Sequence, residues 1–202
     1  MKVVVATRNR HKVREIAVLL DEAGLGIEAV TIDDVAPSTE LVENEETFEG
    51  NALAKARQAA RACGLPALAD DSGIEVDALG GAPGVRSARW AGEPCDDGRN
   101  NQKMLREMAN VPAAQRTARY RCAAAFVDPG RAVEIVRAGA CEGVLLDAPR
   151  GHGGFGYDPL FLVPSLGQSM AEIDLATKNR LSHRAAAFRS LAQALRELGP
   201  KK

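Results

Sequence analysis

Hydrophobic runs and amphipathic segments alternate along the first half of the chain. Residues 2–6 form a continuous, mostly β-branched run, which is typical of a strand buried on both faces. Residues 13–23 carry apolar side chains at helical spacing and stop near Gly24, as an amphipathic helix does. Residues 27–32 predict a second short strand, and residues 47–63 predict an alanine-rich helix. Alternating strands and helices indicate an α/β fold.

A short apolar run in the middle of the chain leads directly into two carboxylates. Residues 67–69 are apolar, Asp70, Asp71, Ser72 and Gly73 follow, and an alternating run begins at once. This pattern predicts a buried strand that delivers acids to the edge of a sheet. Because neighbouring side chains of a strand point to opposite faces, we expect Asp70 and Asp71 to have different roles. Two adjacent acids are also common in a simple turn or helix cap.

The second half of the chain changes character at residue 117. Residues 117–127 and 133–141 are long strand-like runs around an Asp-Pro-Gly turn, which is a hairpin signal. Antiparallel strands inserted into an α/β chain predict a second lobe, at about residues 115–165, within a single domain of residues 1–202. Before it, a helix is predicted over residues 97–109, and after it a last helix follows Ser182.

Composition narrows the class of protein. The 202 residues are 46% hydrophobic and 26% charged, with a net charge of −1, as in a soluble globular protein without a basic field for nucleic acid or acidic lipid. The four cysteines show no CxxC spacing, which favours free thiols in a reducing compartment. No run of eighteen apolar residues or signal segment occurs. We therefore expect a cytoplasmic protein with no membrane or nucleic-acid partner.

Polar stretches far apart in the sequence are candidates for one site. Residues 7–12 lie between the first strand and its helix, where helix-start amides and Lys12 can bind an anion, although an ordinary capped turn has the same pattern. The acidic loop of residues 33–46 can supply a metal ligand or simply be solvated. Lys55 lies one turn from Asn51, so both side chains can point to one cleft.

Two further stretches favour recognition of a planar ring. Residues 151–159 place four glycines beside Phe155 and Tyr157, so backbone amides can approach a ligand while an aromatic ring stacks on it. A flexible surface loop is the alternative. His183 and Arg184 occupy the start of the last helix, where cations oppose the helix dipole unless they bind something.

Together these features favour a nucleoside phosphate substrate with Mg²⁺. Carboxylates then hold metal or activate water, and lysines neutralise the charge on phosphoryl oxygens. The sequence has no Walker lysine and no kinase motif set, which argues against those enzyme classes. A non-catalytic nucleotide-binding module remains an alternative, and an enzyme acting on nucleic acid is disfavoured by the neutral charge.

The chain resembles the inosine triphosphate pyrophosphatase family over almost its entire length, with the motifs in the family's order. Residues 6–12 resemble its (S/T)xNxxK turn, residues 47–56 its TFxxNAxxKA helix, and residues 69–84 its ADDSGLxVxALxGxPG core. Residues 153–159 and 182–184 complete the set. In one departure, Glu45 stands where the family usually has glycine in Glu-x-Gly-x-Thr-Phe.

The resemblance implies Mg²⁺-dependent hydrolysis of inosine, deoxyinosine and xanthosine triphosphates to the monophosphate and pyrophosphate. It also implies a homodimer with a two-lobed, mixed-sheet α/β fold and a substrate cleft between the lobes. Asp71 is then the general base or a metal carboxylate, and Glu43 helps to bind metal. The residues implied to bind the triphosphate are Thr7, Arg8, Asn9, Arg10, His11 and Lys12. The resemblance also implies that Lys55 and Ser72 bind the substrate. The residues implied to bind the purine are Phe155, Gly156, Tyr157, Asp158, Lys178, His183 and Arg184.

Base selectivity has a physical basis. A 6-oxo purine offers an acceptor at O6 and a donor at N1, and adenine reverses both. A buried site built for the first pattern leaves groups unpaired with ATP, which lowers the rate by powers of ten. Guanine shares the 6-oxo pattern, so rejection of GTP depends on the surroundings of C2.

Overall fold

Seven strands form one mixed sheet in the computed structural model, which describes residues 1–199. They are β1 (Lys2–Val5), β2 (Glu28–Thr31), β3 (Ala67–Val76), β4 (Thr117–Asp128), β5 (Val133–Leu145), β6 (Phe161–Val163) and β7 (Gln168–Ser169). Their order in the sheet is β2-β1-β3-β4-β5-β6-β7. β1 pairs in parallel with β2 and β3, whereas β6 pairs antiparallel with β5 and β7. The α/β mixed-sheet fold expected from the sequence is therefore confirmed.

Six α-helices accompany these strands within residues 1–199. They are α1 (Arg10–Glu22), α2 (Ile32–Val35), α3 (Phe48–Cys63), α4 (Asp97–Glu107), α5 (Leu175–Leu181) and α6 (His183–Leu198). None of them is long and apolar enough to cross a membrane. α3 begins where the Thr47 hydroxyl accepts a hydrogen bond from the Gly50 amide, and it ends at Gly64 in the left-handed conformation, with φ 66°.

The structure differs from the sequence-based expectation at two short helices. α2 occupies the start of the segment expected to be a loop over residues 33–46, where Asp34 bonds back to the Thr31 amide. α5 occupies residues expected to be a polar stretch before the last helix, and the Asp174 side chain caps it. Helices of one or two turns are too short to show a 3.6-residue period, so local capping is their main signal. β5 also continues four residues beyond the expected end, to Leu145.

The chain divides into two compact units. Unit 1 contains Met1–Asp71, Cys122–Gly139 and residues 183–199. Its core packs β1 and β4 against the apolar faces of α1 and α6 through buried side chains that include Val3, Ile16, Phe126 and Phe188. A Cβ on Gly139 would collide with the backbone of α6, at 2.5 Å from the Ala187 amide nitrogen. The absence of a side chain at Gly139 therefore allows α6 to pack closely against β5.

Unit 2 contains Ser72–Arg121 and Ala140–Ser182. Its core joins the second half of β3 to α4 and β6, through buried side chains that include Ile74, Met104 and Phe161. The rings of Tyr120 and Phe161 lie 4.5 Å apart between centroids. This unit carries the glycine-rich loop of residues 151–159, and unit 1 carries the paired carboxylates.

Candidate active site

Asp70 and Asp71 end the part of β3 that belongs to unit 1, and they have different partners. Both are buried, with 0% and 6% of their surface exposed. Asp70 Oδ2 lies 3.2 Å from Lys12 Nζ and 3.1 Å from Arg184 Nη2. Asp71 Oδ2 accepts a hydrogen bond of 3.0 Å from Asn51 Nδ2, and its Oδ1 lies 3.5 Å from Lys55 Nζ. The alternation of a strand thus brings each carboxylate into direct contact with different cations.

Asp70 is a buried carboxylate held in its ionised form. Burial by itself would raise the pKa of Asp70, but the charges of Lys12, Arg184 and Lys55 outweigh it and keep that pKa well below the ordinary value. Arg184 is 1% exposed and also pairs with Glu15 of α1. The structure therefore places Arg184, expected in the purine pocket, between two buried carboxylates of unit 1.

Asp71 has the opposite electrostatic character. Burial raises the pKa of Asp71, and the charge of Glu43 acts in the same direction. The charges of Lys55 and Lys12 lower this pKa, but the net shift is upward. Burial lowers the pKa of Lys55, but the charges of Asp71, Asp70 and Glu43 reverse this, so its pKa is raised. The site therefore holds a protonated lysine beside a carboxylate that accepts a proton more readily than an ordinary aspartate.

Glu43 reaches the same lysine from the acidic loop. Its Oε1 is paired with Lys55 Nζ, so one ammonium group serves both Glu43 and Asp71. Asn51 fixes the loop, since its Oδ1 accepts a 3.0 Å hydrogen bond from the Glu45 amide while its Nδ2 binds Asp71. Glu45 is not in the left-handed conformation, so the glycine usual at this position in the family is not required by the backbone here.

We call the seven charged residues of this region the acid–lysine cluster: Lys12, Glu15, Glu43, Lys55, Asp70, Asp71 and Arg184. Every member lies in unit 1. Among residues 1–199, no three His, Cys, Asp or Glu side chains come together as a metal-binding group. Glu43 and Asp71 nevertheless converge on one cation, the Lys55 ammonium.

The turn of residues 7–12 is a capped strand–helix turn that contributes one lysine to the cluster. The Asn9 side chain caps α1 by accepting hydrogen bonds from the amides of His11, at 2.9 Å, and Lys12, at 3.2 Å. Arg8 is directed elsewhere, since it pairs with Asp33 at 2.8 Å and donates to the carbonyl oxygens of Pro37 and Thr39. Arg10 and His11 are exposed, and Thr7 Oγ1 accepts a 3.2 Å hydrogen bond from the Asn9 amide. Of the six residues predicted here, the structure brings Lys12 into the acid–lysine cluster, 3.2 Å from Asp70 Oδ2.

The loop of residues 151–159 in unit 2 is organised around a buried carboxylate. Asp158 Oδ2 accepts hydrogen bonds from the Phe155 amide, at 3.0 Å, and from Lys178 Nζ, at 2.7 Å. Its Oδ1 accepts one from the Tyr120 hydroxyl, at 3.1 Å. A Cβ on Gly154 would collide with this carboxylate, so only glycine fits, and Gly154 has φ 74°.

Phe155 and Tyr157 have different environments. Lys178 Nζ lies 4.8 Å from the centroid of the half-buried Phe155 ring, a cation–π contact that orients the ring. Tyr157 is buried in the core, where its hydroxyl donates to the Ser87 carbonyl oxygen at 2.9 Å and burial raises its pKa. Of the two predicted stacking rings, Phe155 is therefore the more exposed, and Tyr157 anchors the loop in the core.

The remaining predicted site residues, Ser72 and His183, lie in different units. Ser72 is the first residue of unit 2, and His183 is a buried residue at the start of α6 in unit 1. Sequence reasoning did not select Tyr120, Glu15, Asp97 or Asn101. Tyr120 and Glu15 lie on ordinary strand and helix patterns, so their roles show only through partners that are 38 and 169 residues away.

Comparison with known proteins places this geometry in a family. The model of the Ham1 family matches residues 3–194. The dITP/XTP pyrophosphatase of Geobacillus kaustophilus is 48% identical over 98% of this chain and 95% of that protein. The one from Geobacter sulfurreducens is 50% identical over 96% of each. The structure of a HAM1 protein from Coxiella burnetii superposes with a TM-score of 0.87 at 38% identity, over 98% of this chain and 99% of that one.

Proposed function

The chain belongs to the Ham1 family, and we propose that it is a pyrophosphatase acting on non-standard purine nucleoside triphosphates. Its substrates are ITP, dITP and XTP, and its products are the nucleoside monophosphate and pyrophosphate. Relatives that are 48% and 50% identical bear the name dITP/XTP pyrophosphatase. The observation that carries the proposal is Asp71, a buried carboxylate of raised pKa beside the protonated Lys55.

We propose Mg²⁺ as the cofactor. The acid–lysine cluster contains four carboxylates and three cationic side chains, so it has one negative charge in excess and would repel a triphosphate by itself. Glu43 and Asp71 are hard oxygen donors that already share one cation, and Mg²⁺ usually takes one or two carboxylates together with substrate phosphates and water. The residues present therefore fit Mg²⁺, held by Asp71 and Glu43. When bound, this ion would neutralise charge on the phosphate oxygens.

Side chains of the acid–lysine cluster then supply the base for the reaction and stabilise the phosphoryl charge. Asp71 takes the proton from the attacking water, with its carboxylate oriented by the 3.0 Å hydrogen bond from Asn51 Nδ2. Lys12 and Lys55 stabilise the negative charge that develops on the phosphoryl oxygens as the bond between the α- and β-phosphates breaks. Asp70, which stays ionised, holds the Lys12 ammonium in place at 3.2 Å.

Recognition of the base rests on Phe155 and Lys178. The Phe155 ring supplies a surface on which a purine stacks. The Lys178 ammonium is a donor only, so it suits the O6 acceptor of a 6-oxo purine and not the amino group of adenine. This accounts for a preference for inosine and xanthosine nucleotides over ATP.

The experiment that tests the function compares the wild type with Asp71→Asn. The variant is isosteric and removes the base, so we expect turnover of ITP to fall by about 10²-fold or more, while ITP still binds in calorimetry. A wild type that binds ITP without ever releasing pyrophosphate would contradict the enzyme and favour a nucleotide-binding module. The resemblance also leads us to propose a cytoplasmic homodimer, which light scattering in solution and fractionation of cells would test.

A further inference from the structure

Two side chains of α4 hold the backbone of Gly156 from both sides. The Gly156 amide donates a hydrogen bond of 2.6 Å to Asp97 Oδ2, and its carbonyl oxygen accepts one of 2.9 Å from Asn101 Nδ2. Asp97 and Asn101 are four residues apart on a helix, so they share one face, one turn above the other. All three residues belong to unit 2.

These two hydrogen bonds hold the backbone of Gly156, the residue of the loop whose own conformation is least restricted. Gly156 has φ 61° and no side chain to pack, so its backbone angles are otherwise permissive. Its amide belongs to the peptide plane shared with Phe155, and its carbonyl belongs to the plane shared with Tyr157. Holding both planes sets the direction in which the Phe155 ring leaves the backbone.

The Asn101 amide is suited to one role. Its Oδ1 atom is buried and accepts no hydrogen bond within residues 1–199, whereas its Nδ2 atom donates to Gly156. The opposite orientation would place two acceptor oxygens against each other. The neighbouring Asn100 has a different task, since it bonds the backbone of Ala88 and Ala91.

We propose that Asp97 and Asn101 are positioning residues that pre-organise Phe155 for the purine base. They act through the backbone of Gly156 and do not contact the substrate. The inference rests on the proposed function and adds to it a determinant of base affinity in α4. A loop that is already in its binding conformation loses less entropy when the base binds, so these residues contribute to affinity for the base and not to affinity for phosphate.

The test compares Asn101→Asp and Asn101→Ala with Gln102→Glu. The first variant keeps the size of the side chain, but it replaces the donor with a carboxylate that faces the Gly156 carbonyl. Gln102→Glu makes the same amide-to-carboxylate change at the next residue of α4, which is exposed. We would measure kcat and KM for ITP, calorimetric Kd values for inosine monophosphate and for inorganic pyrophosphate, and the thermal unfolding temperature.

We expect Asn101→Asp to raise the KM for ITP and the Kd for inosine monophosphate by about tenfold. The Kd for pyrophosphate and all constants of Gln102→Glu should stay within about twofold of wild type. Asp97→Asn keeps an acceptor for the Gly156 amide, so it should lose less affinity for inosine monophosphate than Asp97→Ala.

Two results would overturn the proposal. One is an unchanged Kd for inosine monophosphate in Asn101→Asp and Asn101→Ala. The other is equal weakening of inosine monophosphate and pyrophosphate with a lower unfolding temperature, which would indicate a purely structural role. If the wild type binds inosine monophosphate but releases no pyrophosphate from ITP, the proposed function fails, and the Kd comparison still decides the positioning role.

Discussion

Arg184→Met removes the guanidinium that joins two buried carboxylates of unit 1. Arg184 contacts Asp70 Oδ2 through Nε and Nη2, both at 3.1 Å, and it also pairs with Glu15. Removing one partner of a buried ion pair costs about 3–5 kcal/mol, because the other charge stays buried. Asp70 keeps the charges of Lys12 and Lys55, so we expect a loss near the middle of that range.

Urea unfolding measures this loss. With a slope of about 2 kcal/mol/M, a loss of about 4 kcal/mol lowers the midpoint by about 2 M. Arg189→Met is the matched control, since Arg189 lies on the same helix and is exposed, and its loss should stay within about 0.5 kcal/mol. A loss below about 1 kcal/mol for Arg184→Met, with a large rise in the KM for ITP, would show instead that Arg184 contributes mainly to substrate binding.

The pH dependence of stability gives a second check of the ion pair between Asp70 and Arg184. The folded state holds the pKa of Asp70 below its unfolded value, so its contribution is fully present above about pH 4 and is lost as the pH falls towards the folded pKa. Without Arg184, the pKa of Asp70 is lowered less. The difference in stability between wild type and Arg184→Met should therefore shrink below about pH 4. A difference that does not depend on pH in this range would refute the electrostatic explanation.

Three further predictions concern packing, thiol chemistry and the base pocket. Gly139→Ala should cost about 1–3 kcal/mol in urea unfolding, because its Cβ would meet the backbone of α6 at His183; an unchanged midpoint would contradict the close packing. Burial raises the pKa of Cys122 to about 12, so at pH 8 its thiol stays protonated and should resist iodoacetamide while the exposed Cys95 reacts. Mass mapping of the modified cysteines measures this order, and faster modification of Cys122 than of Cys95 would contradict it. Lys178→Met removes the donor for O6 and should reduce the preference for ITP over ATP by about tenfold, measured as the ratio of their kcat/KM values; an unchanged ratio would exclude this role.

Elements with a strong local pattern could be predicted from the sequence. The β-branched run of β1 and the helix α3, with Thr47 at its start and Gly64 after its end, were located to within one residue. α2 and α5 could not be, because a helix of four or seven residues is fixed by capping bonds and by tertiary contacts.

The candidate site could be predicted from the sequence only in part. The motif around Asp71 identified the paired carboxylates, and strand alternation predicted that they differ. The role of Glu15 depends on Arg184, 169 residues away, so no local pattern indicates it. The bonds from α4 to Gly156 also join residues more than fifty positions apart, although both ends lie in segments that the sequence identified separately.

Release of pyrophosphate from ITP, XTP, GTP and ATP, with Mg²⁺ and with a chelator, decides whether the protein is a selective, Mg²⁺-dependent pyrophosphatase. We expect fast release from ITP and XTP that depends on Mg²⁺, and much slower release from GTP and ATP. A rate with ATP comparable to the rates with ITP and XTP would contradict the proposed recognition of O6 by Lys178. No release from any of them would contradict the pyrophosphatase itself.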